Sequence, residues 1–243
     1  MPAPRRIHFI TYGNHKFRWA KLRLTNSAKR LCVFNTVRSY GPSDLAPTFR
    51  SRLRPILREQ RGGGYWLWKP YIIKHQLERI NDGDILVYLD AGCTIDPRKG
   101  QRFHQYLEIL DRSEHSILSF QLPDFMEQNW TVKECFSHFD IPADSPIRRT
   151  GQLISGILIM KKTKQLTQII GKWYQTAYYN PLLFTDHFNG HPQCSGFREN
   201  RHDQSVLSVL LKKHGTVILA DESYPEASGK HQVLGPFIAS RKY

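Results

Sequence analysis

An acidic residue ends an uninterrupted apolar run in the first half of the chain. The run Ile85–Leu89 leads into Asp90, and Ala91 and Gly92 follow. Bulky residues without a polar break predict a strand that is buried on both faces. Open α/β sheets bind ligands at the carboxyl ends of their strands, where small residues let a ligand or metal approach. Asp90 could therefore bind a cation that neutralises a diphosphate, or it could accept backbone hydrogen bonds as a structural residue.

A second group of polar residues opens an amphipathic stretch near the C-terminus. His202, Asp203 and Gln204 precede the apolar positions of a predicted helix that ends at His214. An imidazole ring, a carboxylate and an amide are thus presented together where free backbone N–H groups attract anions. Asp203 could instead lie in the first turn as a partner of the helix dipole.

Aromatic and acidic residues supply two further candidates. Trp66, Trp68 and Lys69 follow three consecutive glycines, so the rings could stack on a base or sugar while the ammonium group holds a phosphate. Core aromatics that anchor a helix start explain the same pattern. Asp124 and Glu127 follow a predicted strand, and either could act as a general base or belong to a solvated acidic loop.

The elements that position these groups alternate between strands and helices. Strands are predicted at residues 7–13, 31–37, 85–89, 116–122, 156–160 and 216–220, with Pro123 ending the fourth. Helices are predicted at residues 17–28, 46–61, 166–178 and 202–214, after Pro70 and around Phe103–Leu110, and the tail from Glu222 is predicted to be irregular. This alternation predicts an α/β fold with a mostly parallel central sheet flanked by helices. No repeat or linker divides the chain, so a single domain, 1–243, is predicted.

The composition restricts the partners. Lys and Arg number 35 against 21 Asp and Glu, a net charge of +14, which favours nucleic acid, anionic lipid or phosphorylated small molecules. The cationic residues form no recognisable nucleic-acid-binding module. Four widely spaced cysteines predict reduced thiols in a cytoplasmic protein. No secretory signal and no apolar run of about 20 residues is evident.

Taken in order, five motifs resemble a known enzyme class. They are W-x-W-K-P, G-D-I-L-x-Y-x-D-A-G, E-x-x-W-T-x-K, Q-x-x-x-G-I-L-I-x-K and H-D-Q-S. Together they are similar to small GT-A-type glycosyltransferases of bacterial and viral surface-polysaccharide pathways, over residues 7–220. The resemblance implies one GT-A-like, Rossmann-type domain with a nucleotide-binding half at about 1–100 and an acceptor half at about 101–243.

The resemblance also implies an activity and a set of site residues. The activity is transfer of a hexosyl or deoxyhexosyl group from a nucleoside-diphosphate sugar to a hydroxyl of a glycan or lipid-linked acceptor. Asp203 or Glu127 would be the base of an inverting enzyme, whereas Gln204 would lie beneath the anomeric carbon in a retaining one. The residues implied to bind the donor are Thr11, Tyr12, Trp68, Lys69, Asp90, Ala91, Gly92, Gly156 and His202.

One departure from the family pattern concerns the metal. Asp90 holds the place of the first acid of the D-x-D element, but Gly92 stands where the second acid belongs. Either Asp90 binds Mn²⁺ or Mg²⁺ with the help of His202 or Asp203, or positive side chains neutralise the diphosphate instead. We predict a divalent cation bound by Asp90 and His202.

Three other functions remain open from the sequence. A basic nucleic-acid-binding protein fits the charge. A nucleotidyltransferase fits the fold, although Gly13-Asn14-His15 is a poor match to a phosphate loop. An inactive scaffold fits Gly92. The positive charge also predicts peripheral binding to an anionic membrane that carries a lipid-linked acceptor, since each Lys or Arg near such a surface contributes about 1 kcal/mol.

Overall fold

A seven-stranded sheet lies at the centre of the protein. The structure is a computed structural model that describes residues 5–224 and 233–242. The strands are β1 (Ile7–Tyr12), β2 (Thr36–Tyr40), β3 (Ile85–Leu89), β4 (Thr94–Ile95), β5 (Ile117–Met126), β6 (Gly151–Leu153), β7 (Ile157–Lys161), β8 (Val217–Ala220) and β9 (Phe237–Ile238). The helices are α1 (Arg18–Arg30), α2 (Pro47–Arg52), α3 (Arg54–Leu57), α4 (Gly62–Tyr65), α5 (Lys69–Leu77), α6 (Gly100–Arg112), α7 (Glu127–Trp130), α8 (Lys133–His138), α9 (Lys164–Tyr179) and α10 (Asp203–His214).

The strand order of the central sheet is β2-β1-β3-β7-β5-β6, with β8 also paired to β5. β1 runs parallel to β2 and β3, and β8 runs parallel to β5. β7 runs antiparallel to both β3 and β5, and β6 runs antiparallel to β5. The predicted α/β class is confirmed, but the sheet is mixed rather than mostly parallel, because β7 returns between β3 and β5. β4 and β9 form a separate antiparallel pair.

Strand β3 divides the hydrophobic core into two layers, and all of its residues have 0% exposure. Leu86 and Tyr88 face the layer that contains α5, α9 and α10. Ile85, Val87 and Leu89 face the layer that contains α1 and α6. Successive side chains of a strand point to opposite faces, so a strand covered on both faces needs apolar residues at every position. This explains the uninterrupted run that ends at Asp90.

The second predicted strand begins later than expected. α1 continues to Arg30, Leu31 caps it, and β2 starts at Thr36. Asn35 sets this start, because its backbone N–H donates to the carbonyl oxygen of Ile7 and its side chain accepts from the Ile7 N–H. The apolar residues before it pack on the core from a loop, which is why their β-rich composition was misleading.

Proline has two effects that the sequence pattern did not resolve. Pro123 does not end β5, which continues to Met126 through a register shift opposite β6. A bulged strand leaves residues unpaired, so the missing N–H is tolerated there. The helix predicted at residues 46–61 is divided into α2 and α3, and Pro55 lies in the first turn of α3.

The tail is not wholly irregular. β9 pairs with β4, whereas residues 225–232 and 243 lie outside the described part of the chain. Within residues 5–224 and 233–242, none of the helices has the length and apolar character needed to cross a bilayer.

Candidate functional site

A cavity of about 550 Å³ lies at the carboxyl end of β3. Its wall combines residues that follow β1 and β3, residues that precede β7, and the start of α10. All predicted site residues line it except Thr11 and Glu127. Those that do are Tyr12, Trp68, Lys69, Asp90, Ala91, Gly92, Gly156, His202, Asp203 and Gln204. The cavity therefore occupies the place where open α/β sheets bind ligands.

A buried cluster of charges forms one side of the cavity. The Nζ atom of Lys69 lies 2.6 Å from Oδ2 of Asp203 and 3.1 Å from Oδ1 of Asp90. The side chains of Lys69 and Asp203 are 1% and 5% exposed, whereas that of Asp90 is 34% exposed. The hydroxyl of Ser155 also donates to Oδ2 of Asp203, at 2.7 Å. Asp90 is thus the most exposed member of the cluster, although Lys69 and Asp203 also line the cavity.

The cluster carries one ammonium group against two carboxylates. Burial alone would lower the pKa of Lys69, but the charges of Asp203 and Asp90 outweigh it and raise that pKa. Burial also raises the pKa of Asp203, and the charge of Asp90 adds to the effect while Lys69 opposes it. Lys69 therefore stays charged near neutral pH and is held by the carboxylates. The cluster thus contains one more carboxyl group than ammonium groups, and Asp90 is its most exposed member.

Two neighbours, Tyr88 and Gly156, fix the position of Asp90. Its backbone N–H donates to the carbonyl oxygen of Gly156 at 2.9 Å, and the hydroxyl of Tyr88 donates to its Oδ1. A Cβ atom at position 156 would lie only 2.9 Å from Oδ2 of Asp90. Gly156 therefore contributes to the site by leaving room for the carboxylate.

The glycine run forms a left-handed turn beside the cavity. Gly62, Gly63 and Gly64 have positive φ values, and so do Tyr65 and Trp66. For a residue with a side chain this conformation costs about 1–2 kcal/mol. A Cβ atom at Gly64 would also lie 2.7 Å from the backbone of Leu57, so the turn needs glycine there.

The turn delivers the two tryptophans to the cavity wall. Trp68 stacks on Tyr12, with ring centres 3.8 Å apart and planes inclined by 16°. The Nε1–H of Trp68 donates to the carbonyl oxygen of Gly62 at 3.1 Å. Trp68 is therefore held rigidly, with one face covered by Tyr12.

His202 precedes α10 in a conformation that side-chain-bearing residues rarely adopt, with φ +58° and ψ −123°. Its Nε2 lies 3.1 Å from Oδ1 of Asp186, and its ring packs near Tyr65 and Trp66. Burial lowers the pKa of His202 more than the hydrogen bond to Asp186 raises it. The ring is therefore neutral near pH 7, and its Nε2–H donates to Asp186.

These placements do not fit the predicted divalent cation. Oδ1 of Asp90 is engaged by Tyr88 and Lys69, and Nε2 of His202 is engaged by Asp186. Across residues 5–224 and 233–242, no group of three or more His, Cys, Asp or Glu side chains is arranged to hold a metal ion. The donor set of Asp90 and His202 therefore gives no support to a metal between them.

Arg201, which directly precedes His202, is a cavity residue to which the sequence patterns assigned no role. Its guanidinium lies 4.2 Å from the ring centre of Phe125 and 5.6 Å from that of Trp130, and both rings also line the cavity. Burial lowers its pKa. In the described part of the chain, no carboxylate lies within 4.0 Å of its guanidinium. Phe125 and Trp130 are five positions apart, but both lie more than 70 positions before Arg201, so no local spacing could have joined them to it.

Arg61 also lines the cavity, but unlike Arg201 it pairs with carboxylates. Arg61 lies 3.2 Å from Asp186 and 3.3 Å from Glu199, and Lys69 is held by two carboxylates. Arg201 thus presents a guanidinium that no carboxylate contacts within 4.0 Å among the described residues. An anion is the complementary ligand, since a guanidinium binds a phosphate with two parallel hydrogen bonds.

Two predicted site residues lie away from the cavity. Glu127 is fully buried and accepts hydrogen bonds from Thr131, Ser208 and Lys212. A general base must reach the acceptor hydroxyl, so this placement argues against that role. Thr11 is also fully buried, and its hydroxyl has no partner among the described residues.

No protein-family model and no curated protein sequence matches this chain. Among solved structures, it is similar to a glycosyltransferase involved in the glycosylation of the major capsid of PBCV-1, with a TM-score of 0.54 and 10% identity over 96% of this chain and 93% of that one. It is also similar to the bifunctional glycosyltransferase WbbM, with a TM-score of 0.51 and 11% identity over 92% of this chain and 40% of that one. At such identities the likeness establishes the fold alone. The predicted GT-A-like fold is confirmed.

Proposed function

We propose that the protein transfers a sugar, of the hexosyl or deoxyhexosyl class, from a nucleoside-diphosphate sugar to a hydroxyl group of a glycan or lipid-linked acceptor. The observation that carries the proposal is the half-buried carboxylate of Asp90, which lines a cavity at the carboxyl end of β3. Behind it, Lys69 and Asp203 form a buried ion pair. The fold, shared with solved glycosyltransferases, is compatible with this chemistry.

A single domain would contain both substrate sites. Residues 1–100 would hold the nucleotide and residues 101–243 the acceptor. Both halves supply cavity residues, among them Tyr12 and Asp90 from the first and Trp130 and Asp203 from the second. Strands from both halves also belong to one central sheet. This supports a single domain in which each half forms one substrate site.

The diphosphate of the donor would be bound by Arg201. Its guanidinium is partly buried and stacked on aromatic rings, and it has no carboxylate partner within 4.0 Å among the described residues. Such a preorganised cation stabilises the charge that develops on a departing diphosphate. Oδ1 of Asp90 and Nε2 of His202 already have partners within the protein, so the proposal assigns neutralisation of the diphosphate to Arg201 and not to a metal ion between them.

Asp203 and Gln204 are the candidates for contact with the reacting sugar. The raised pKa of Asp203, which burial causes, favours proton acceptance from an acceptor hydroxyl, as an inverting enzyme requires. The amide nitrogen of Gln204 donates to Gln152 at 2.8 Å, which orients the amide for the position beneath the anomeric carbon in a retaining enzyme. The anomeric configuration of the product, read by NMR, distinguishes the two roles.

The donor class can be tested by thermal unfolding. Nucleotide sugars based on UDP, GDP, dTDP and CDP are each added with EDTA or with Mn²⁺. A bound donor should raise the melting temperature, since a ligand at 100 times its Kd stabilises the folded state by about 2.7 kcal/mol. Slow release of free sugar should accompany it. The proposal fails if no nucleotide sugar is bound or hydrolysed while oligonucleotides bind in a salt-dependent manner.

The role of Arg201 has a matched control. Arg198 also lies over Trp130, at 5.5 Å, but it does not line the cavity. Arg201→Gln should weaken the binding of the nucleoside diphosphate by about 10- to 100-fold, the worth of a hydrogen bond to a charged group, in EDTA as well as in Mn²⁺. Arg198→Gln removes the same charge and should leave binding unchanged. Equal effects of the two substitutions would mean that Arg201 acts only through the net positive charge of the protein and not through direct contact with the diphosphate.

A further inference from the structure

The outer face of α1 exposes large apolar side chains. Trp19 is 69% exposed and Leu22 is 47% exposed. Residues three apart lie on the same face of a helix, so they form one apolar strip. The opposite face packs on the core through Ala20, Leu24 and Ala28. The strip therefore has no partner within the described part of the protein.

Positive charge surrounds this strip. The chain has no Asp or Glu before Asp44, whereas nine Lys and Arg precede it. The Arg18 guanidinium lies 5.1 Å from the ring centre of Trp19, and Lys29 and Arg30 are exposed at the other end of α1. The surface is therefore both apolar and cationic.

The other two cations of α1 are turned towards the protein. Lys21 donates to the carbonyl oxygens of Gly13 and Tyr40. Arg23 donates to those of Ala91 and Cys93. These bonds fasten α1 to the end of β2 and to the loops that follow β1 and β3, so the outer face of α1 is held on a rigid support.

α1 also begins beside the cavity. Asn14 and Phe17 precede its first residue and line the cavity wall. A flat surface that contacted the outer face of α1 would therefore lie near the cavity.

We propose that the outer face of α1, formed by Arg18, Trp19, Leu22, Lys29 and Arg30, binds an anionic lipid bilayer. Tryptophan favours the headgroup level of membranes, and a helix with an apolar strip flanked by Lys and Arg lies in that interface. Each cation near an anionic leaflet adds to the attraction. Nucleic acid would match the charge but offers no comparable site for Leu22. The inference rests on this surface alone and is independent of the proposed sugar transfer.

Vesicle sedimentation tests the inference. The full chain is mixed at low salt with vesicles of phosphatidylcholine, or of phosphatidylcholine and phosphatidylglycerol in equal amounts. The wild-type protein should pellet with the mixed vesicles only. The double substitution Trp19→Ser, Leu22→Ser should lower the partition coefficient at least tenfold. Because both side chains are exposed, it should leave the melting temperature unchanged.

The control uses another exposed apolar pair. Tyr179 and Leu182 are 64% and 42% exposed, so Tyr179→Ser, Leu182→Ser removes similar surface elsewhere and should pellet as wild type does. Equal pelleting of the α1 variant and wild type would overturn the inference. So would binding to oligonucleotides that the α1 substitutions abolish while vesicles fail to bind, because that result would assign the surface to nucleic acid.

Discussion

Lys69 and Lys212 are both buried against a carboxylate, and comparison of their surroundings separates a site from a structural support. Lys69 lies 2.6 Å from Asp203, and Lys212 lies 2.7 Å from Glu127. The side chains of both lysines are at most 5% exposed. By residue type and distance alone, the two pairs are equivalent.

Their difference lies in charge balance and access. The charge of Glu127 is balanced by Lys212, and the hydroxyls of Thr131 and Ser208 also donate hydrogen bonds to its carboxylate. Burial lowers the pKa of Lys212, whereas Lys69, facing two carboxylates, has a raised pKa. The second of those carboxylates, Asp90, reaches the cavity. The cluster of Lys69, Asp203 and Asp90 therefore has an extra carboxyl group that faces a cavity, as a functional site would. In the pair of Lys212 and Glu127 the two charges balance inside the protein, as in a structural ion pair.

The largest effect on stability is expected from breaking the buried pair of Lys212 and Glu127. Lys212→Met leaves the charge of Glu127 buried and unpaired, which should reduce the free energy of unfolding by about 3–5 kcal/mol. Urea denaturation measures the loss. The double substitution Lys212→Met, Glu127→Leu should recover most of it, since apolar residues can replace a buried ion pair. A Lys212→Met protein as stable as wild type would contradict a structural role.

A small change in stability but a large loss of activity is expected at the open cluster, which consists of Lys69, Asp203 and Asp90. Asp90→Asn leaves Lys69 paired with Asp203 and should change the unfolding free energy by less than about 1 kcal/mol, as is usual for a partly exposed ion pair. Turnover of the nucleotide sugar should fall at least about 100-fold, because the carboxylate would no longer stabilise the positive charge that develops on the sugar in the transition state. Asp82→Asn is the control, because Asp82 is 85% exposed and pairs only with Lys162 among the described residues.

A smaller effect on stability and turnover is expected at Gly156, where the backbone lies against the carboxylate of Asp90. Gly156→Ala places a methyl group against Oδ2 of Asp90, so it should cost about 1–3 kcal/mol, as overpacking does, and should reduce turnover by displacing the carboxylate. At Gly171, in α9, no neighbouring atom among the described residues lies within 4 Å of the position that a Cβ atom would take. Gly171→Ala should therefore stabilise the protein by about 0.5–1 kcal/mol. Equal effects of the two substitutions would show that Asp90 tolerates the displacement.

The smallest effect concerns pH. The pKa of His202 is lowered by burial, so below its ordinary value of 6.5 the unfolded chain binds a proton that the folded protein does not. Stability should therefore fall as pH falls through this range. Urea denaturation should show a smaller loss between neutral and acidic pH for His202→Gln than for wild type. Identical losses would mean that His202 is not the group responsible.

Local patterns predicted the elements and the residues that lie close in sequence. The run Ile85–Leu89 identified β3 because burial on both faces requires apolar residues at every position. The cavity could be located because Asp90 ends that strand. The motif order also placed Asp203 and Lys69 in one site, although these residues are 134 positions apart.

Interactions between distant residues were beyond the sequence. Glu127 follows a strand just as a catalytic acid would. Only the fold shows that Glu127 is buried and that Lys212, 85 positions later, pairs with it. Arg201 was given no role because its aromatic support, Phe125 and Trp130, lies more than 70 positions earlier in the chain. A sequence motif selects residue types, but burial and charge balance depend on how the segments pack together.

The most direct test compares the two clusters in one assay. Turnover of the identified nucleotide sugar is measured for Asp90→Asn and for Lys212→Met, Glu127→Leu at equal concentrations of folded protein. We expect Asp90→Asn to lose at least about 100-fold and the double variant to match wild type. Wild-type turnover by Asp90→Asn, or a comparable loss in a folded double variant, would contradict the assignment of the site to the open cluster.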